Sequence, residues 1–228
     1  MAETNSDLYR SDIPENPVTF KTKTIKSDTT AITLDLKIPV AQGLSNPQIQ
    51  SNINKQVEDD ILEFKKGMEE AAKDNAAEAK KKGKAVIPYI ASNIYSVTYN
   101  KASILSINIL YYERIQGKHS YIKVPYNYSL LTGKSLSIED LFREGSNYKE
   151  VINQQIKQQL QANRDKYFAG TPEQFKGIAE DQPFYLENGH VVIFFGFHQI
   201  APTESQLPVF KIPFSSLSSI LKPIFLRG

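Results

Sequence analysis

The 228-residue chain contains no cysteine and no tryptophan, and only two methionines and three histidines. Without cysteine there is no disulfide, no thiolate nucleophile and no Cys-ligated zinc. That absence fits a cytosol and equally a disulfide-poor exterior, so it does not fix the compartment. Neither sign of charge is in excess: 27 Lys and Arg against 25 Asp and Glu leave +2, which does not mark a nucleic-acid binder. No apolar run approaches the roughly 20 residues that span a bilayer. The opening "MAETNSDLYRSDIPENP" lacks the apolar heart of a signal peptide. Residues 1–17 read instead as a flexible, polar lead-in, and removal of an upstream signal or anchor is compatible with it.

What is present is globular. Apolar residues make up 40% and charged residues 23%, enough for a sizeable core. Aromatics reach 11%, all Tyr and Phe, a bias that suits half-buried sheets.

Alternation in "VTFKTKTIKS" and "AITLDLKIPV" around Ser27–Thr30 predicts a β-hairpin. Ser45 or Asn46 then caps a long helix with Pro47 in its first turn. Ile49, Ile53, Val57, Ile61, Phe64 and Met68 form one apolar stripe, and Gly83 and Pro88 end it. The run Lys80–Lys84 suits the negative end of the helix dipole. Two strands follow around an expected Asn100–Lys101 turn. A third, "HSYIKVPYNYSLL", carries Pro125, which favours an edge position. A short helix starts at Ser137, and a second long one carries Val151, Ile152, Ile156, Leu160 and Tyr167. Asn188–Gly189 predicts a type I′ hairpin with arms Phe184–Glu187 and His190–Phe197. "LPVFKIPF" is a last strand and "SSLSSILKP" a closing helix. The fold class is α+β, two sheet-plus-helix subdomains with mainly antiparallel strands, ordered ββαββ then βααβββα. The expected division is 1–17 lead-in, 18–116 first subdomain and 117–228 second.

Catalytic and metal signatures are missing. If His190–His198 is one straight strand, its two imidazoles stand about 26 Å apart, too far to share an ion. His119 has no partner at metal spacing. "TGKS" at Thr132 lacks the upstream glycine of a phosphate loop, with Tyr128 in its place. Neither G-x-S-x-G nor H-E-x-x-H occurs. Glu139–Asp140 suits a helix start, and Glu180–Asp181 falls in a polar loop. A hydrolase with carboxylates from separate strands, Glu113 or Glu139 among them, is the minority alternative. No cofactor is indicated. Tyr95, Tyr99, Tyr111, Tyr121, Tyr126 and Tyr128 could stack sugars, but core packing explains most of them.

Two stretches carry a resemblance. "YNYSLLTGKSLSIEDLF" joins a Tyr-rich strand, a TGK turn and a step into a helix. "FYLENGHVVIFFGFHQIAP" followed by "LPVFKIPFSSL" joins a hairpin, an "I-A-P" step and a short Pro-bearing strand. Together they resemble the paired extracellular domains of the anti-sigma-V lysozyme receptor type, also found as the N-terminal accessory region of peptidoglycan deacetylases. The likeness spans roughly residues 17–225. It departs at "ERIQGKHSY", where a Gly-Gly-Ala step is lost, at His198, where a Tyr is usual, and at Thr203–Gln206, where a "Y-A-x-G" loop is usual. The resemblance implies a non-catalytic binding domain at the extracellular face or cell surface of a Gram-positive envelope, membrane-anchored in a full-length protein. Its partner would be a lysozyme-type protein or cell-wall glycan. His119, His198, Pro202, Thr203, Glu204 and Gln206 are the candidate contact residues, most of them on a loop held by a rigid hairpin.

Overall fold

In a computed structural model the described residues are 18–202 and 207–226. The expected lead-in lies outside them. Strands β1 (Thr19–Asp28) and β2 (Ile32–Gln42) form the first hairpin, helix α1 (Pro47–Lys81) follows, and β3 (Tyr89–Lys101), β4 (Ile104–Ile115) and β5 (Lys118–Ser129) complete a five-stranded sheet in sequence order. Helix α2 (Tyr148–Ala162) leads to a second sheet of β6 (Phe184–Glu187), β7 (His190–Phe194) and β8 (Val209–Pro213). The α+β class with mainly antiparallel pairing is therefore as the sequence indicates. Among the described residues only β2 and β3 run parallel, over Ile32–Asp35 against Tyr89–Ser92, because α1 carries the chain back between them. No helix among the described residues is long and apolar enough to cross a membrane.

Helix α1 covers the front of the first sheet. Asn46 Oδ1 accepts from the Gln48 and Ile49 amides at its start, satisfying two otherwise orphaned donors. The stripe Ile49, Ile53, Val57 and Ile61 packs on Leu36, Ile38, Leu105, Ile107 and Ile109. Tyr126 of β5 donates its hydroxyl to Asp60 at 2.9 Å, tying the helix to the far strand. Pro125 sits on β5, an edge of this sheet, where a missing N–H costs no ladder bond to an outer neighbour.

Past Asp35 and Ser92 the parallel pair splays apart, and asparagine side chains stand in for missing backbone. Asn93 accepts from Lys37 N at 2.7 Å and donates to Lys37 O at 2.8 Å. Asn54 of α1 does the same for Ala41, at 2.8 and 3.0 Å. Asn100 does so for Val18, at 3.1 and 2.7 Å. A carboxamide presents one acceptor and a donor in the geometry of a peptide unit, so each asparagine satisfies both groups of one residue.

The same device joins the two sheets. The back face of β4 and β5 carries Ser106 and Asn127, cross-strand partners, both buried. Ser106 Oγ donates to Asn127 Oδ1 at 2.7 Å and accepts from the Leu186 amide at 3.1 Å. Asn127 Nδ2 donates to Phe184 O at 2.9 Å. Phe184 O and Leu186 N belong to the edge of β6 that faces away from β7. The small sheet thus stands edge-on against the back of the large one. One of its faces, with Val191, Ile193, Phe210 and Ile212, packs on α2 and on Tyr99 and Ile104. Its other face carries Tyr185, Val192 and Phe194.

Several expectations need correction. The β4–β5 hairpin turns at Gln116–Gly117, and β5, which follows the expected division, pairs with β4 in the first sheet. The β3–β4 turn is at Ala102–Ser103, with φ of 50° and 57°, because Asn100 is engaged with Val18. Of the Asn188–Gly189 pair only Gly189 has a positive φ, so the turn is not type I′, which needs both. Strand β7 ends at Phe194, not Phe197: Phe195 N donates to Pro208 O, and Pro208 has no N–H to return. The closing helix is two 3₁₀ turns, Phe214–Leu217 and Pro223–Leu226. Bonds from Arg143 N to Ile220 O and from Lys222 N to Leu141 O draw the intervening chain into a bridge with Phe142.

Removing the Asn127 amide strands Phe184 O and Ser106 Oγ in the junction. Asn127→Ala is expected to cost about 2–3 kcal/mol, seen as a lower urea midpoint at unchanged slope. The exposed change Gln158→Ala should stay within about 0.5 kcal/mol; equal midpoints for the two variants would contradict this role.

Candidate functional site

Because β6 meets the large sheet along a line, it covers only part of that sheet's back. The remainder forms one side of a concave corner. Cross-strand pairing places Ile94, Leu110 and Lys123 in one row of this floor, and Ser92, Tyr112 and Tyr121 in the next. Ile94 is 58% exposed and Tyr121 37%. The wall is the free face of the small sheet, with Tyr185 and Phe194. Lys123 binds floor to wall: its Nζ lies 5.1 Å from the Tyr185 ring centre and 5.4 Å from that of Phe194, within cation–π range.

The rim is the turn that replaces the end of the expected strand. Gly196 N donates to Gln199 Oε1 at 2.8 Å, and Gln199 N returns to Gly196 O at 3.2 Å. Between them Phe197 leans on Tyr121, with ring centres 5.9 Å apart, and His198 takes φ +57° and is exposed. Ile200 O accepts from Phe168 N at 3.0 Å, and buried Ile200 and Ala201 anchor the far side. Gln182 Nε2 caps Phe194 O at 2.8 Å where Pro183 has no N–H to give. A short exposed turn is thereby held at both ends by the core.

His119 is exposed and pairs with Arg114, one step beyond Tyr112–Tyr121 on the same face. His119 and His198 therefore flank the Tyr121–Phe197 contact from two elements. Pro202 is exposed at the end of the turn. Thr203, Glu204 and Gln206 lie outside the described residues. His190 sits on the wall with Nδ1 3.0 Å from Asn188 O; the 26 Å straight-strand spacing to His198 does not apply, because the chain bends at Gly196. The sequence does not mark Tyr112, Lys123, Tyr185 or Phe197 as contact residues. For Tyr112 and Lys123 the signal is the alternation of β4 and β5, which sequence alone cannot divide between core and shelf.

Burial, with the neighbouring Glu187 carboxylate, pushes the Tyr185 hydroxyl up to about 12, so it remains a neutral donor at physiological pH. Glu187 also pairs with Lys211 at 2.5 Å. Of the carboxylates considered for a hydrolase, Asp140 accepts from Ser137 N and Oγ at 2.8 and 2.9 Å, Glu113 from Ser120 Oγ at 2.6 Å, and Glu180 pairs with Lys149. An open cleft of about 430 Å³ runs between β5 and the Glu180–Phe184 segment, but its Asn127 and Gln182 already serve backbone groups. Among the described residues no three His, Asp or Glu side chains converge to hold an ion.

With this geometry the known relatives fall into place. Residues 25–114 match the family model "Deacetylase PdaC", and residues 139–215 match DUF3298, a family of proteins of unknown function. The chain is 28% identical over 208 residues to anti-sigma-V factor RsiV of Bacillus subtilis (strain 168), covering 86% of this chain and 68% of the relative. Two solved DUF3298-family structures share the fold. One, from Bacteroides fragilis, has a TM-score of 0.69 at 18% identity, over 91% of this chain and 96% of its own. The other, from Pseudomonas aeruginosa, has 0.66 at 18%, over 94% and 99%. The chain is thus similar to PdaC-type domains in its first part, to DUF3298 domains in its second, and to RsiV across both.

Burial lowers the Lys123 ammonium below its ordinary 10.5, with Glu187 acting in the opposite direction. The folded chain therefore holds this proton less tightly than the unfolded one, and its cost is full below the folded value and fades as pH rises toward 10.5. Lys123→Met is expected to be more stable than wild type at pH 7, with the difference shrinking by pH 10.5 in urea melts; a difference independent of pH would count against this assignment.

Proposed function

We propose that this chain is a non-catalytic binding domain of the extracellular face of a Gram-positive cell envelope, of the anti-sigma-factor ectodomain type, and that its partner is a lysozyme-type protein. The kinship with RsiV supports the class. The observation that carries the recognition surface is the rim turn: an exposed His198 in left-handed backbone, between a buried strand and buried Ile200 and Ala201. Such a turn loses little conformational entropy on binding, because it is already fixed. His198 and Pro202 form its outward side, with His119 across the Tyr121–Phe197 contact. Thr203, Glu204 and Gln206 continue the same segment and complete the proposed contact.

A second reading is an accessory module joined to a peptidoglycan deacetylase and binding wall glycan. The match of residues 25–114 to the PdaC family and the exposed tyrosine on β5 favour it. Sedimentation with insoluble peptidoglycan tests it, and a chain that stays in the supernatant would remove it. The hydrolase alternative makes a separate demand: turnover of muropeptides that disappears in Glu113→Gln or Glu139→Gln.

The primary reading is checked by calorimetric titration with lysozyme. Saturable heat at micromolar protein is expected, and the pair His198→Ala with Pro202→Ala should weaken binding about tenfold or more, as truncating anchors at the centre of an interface does. Absence of heat, or full affinity in the double variant, would overturn the assignment to this turn.

A further inference from the structure

The corner floor has chemistry of its own. Tyr112 and Tyr121 are cross-strand partners with ring centres 5.2 Å apart, and Phe197 follows 5.9 Å beyond Tyr121. Three rings thus run across the open half of the sheet. Cations bracket the tyrosine pair. Arg114 and His119 form the next pair on one side, and Lys123 opposite Leu110 the next on the other, each about 7 Å away by strand rise. On this face β3, β4 and β5 present no Asp or Glu among the described residues; the nearest acids are Asp35 of β2, beside Ser92 in the Tyr112–Tyr121 row, and Glu187 on the wall next to Tyr185, whereas Glu113 lies on the opposite face with Ser120.

Arg114 adds a second, independent sign. Its Nε is covered from solvent and has no hydrogen-bond partner among the described residues, although buried guanidinium donors are normally satisfied. An arginine guanidinium is suited to a carboxylate, which it can grip through two parallel N–H bonds.

We propose that the shelf formed by Tyr112, Arg114, His119, Tyr121 and Lys123 binds a carboxylate-bearing carbohydrate. The faces of Tyr112 and Tyr121 take the polarised C–H face of a sugar ring. Arg114 grips its carboxylate, and Lys123 attracts that of a neighbouring residue in the polymer. The proposal does not require the rim turn to bind protein; the two surfaces share His119 and the Tyr121–Phe197 contact.

The test is calorimetric titration of the full chain with three probes: hexameric oligogalacturonate, neutral chitohexaose, and a polyphosphate of matched charge. Oligogalacturonate is expected to bind saturably, and chitohexaose and polyphosphate about tenfold more weakly or not at all. Arg114→Gln should weaken oligogalacturonate about tenfold, the loss typical of a charge-assisted bidentate contact. Tyr121→Ser should do likewise, with Arg114→Gln covering the case in which the Tyr121 variant fails to fold. No saturable oligogalacturonate binding, polyphosphate binding of equal strength, or full affinity in Arg114→Gln at an unchanged thermal midpoint would each overturn the proposal. Lysozyme takes no part in these titrations, so their failure is separable from failure of the rim-turn reading.

Discussion

Three hydrogen bonds at the sheet junction decide the shape of this protein. The outward edge of β6 offers Phe184 O and Leu186 N, which no strand pairs. Asn127 and Ser106 satisfy them from the back of the large sheet, and Ser106 satisfies Asn127 in turn. Left unpaired in this buried setting, each group would cost about 1–3 kcal/mol. The triplet also fixes direction. It admits the small sheet edge-on, at one line and one register, where apolar contacts alone would tolerate sliding.

The concave corner follows from that choice. A small sheet lying flat would have covered the back of β3–β5 completely, and its own second face would have met solvent. Standing on edge, it divides the back face. One part becomes core with Tyr99 and Ile104. The other remains open beside Tyr185 and Phe194. Lys123 is then caught between floor and wall, partly desolvated and over two rings, and the rim turn reaches the floor through Phe197. Site and fold share one cause.

Much of this architecture is legible in the sequence. The α1 stripe, the cap at Asn46, Pro125 at an edge and the two hairpins flanking α1 are local signals, and local physics suffices for them. Asparagine is where reading fails. At Asn100 it looks like a turn residue, yet its carboxamide is taken by Val18, and the turn moves on to Ala102–Ser103. Asn54, Asn93 and Asn127 look like solvent-facing polar positions for the same reason. In "LSINIL", Ser106 and Asn108 alternate with isoleucine as an exposed face would, but a sheet 80 residues later covers that face. The end of β7 is hidden likewise, because what stops it is Pro208, just ahead of β8. Of the candidate residues, His198 is legible as an exposed loop position and His119 as an exposed strand end; that one aromatic contact lies between their elements is a property of the junction.

The junction can be read at a single amide. Leu186 N–H takes no part in the β6–β7 ladder and donates only to Ser106 Oγ, so its hydrogen exchange reports that bond. With the small sheet docked as described, the Leu186 amide should exchange only through global unfolding, as slowly as the central amides of β4. Exchange at the rate of the Gly196–Gln199 turn would show that β6 does not rest on Ser106 and Asn127, and the corner would lose its basis.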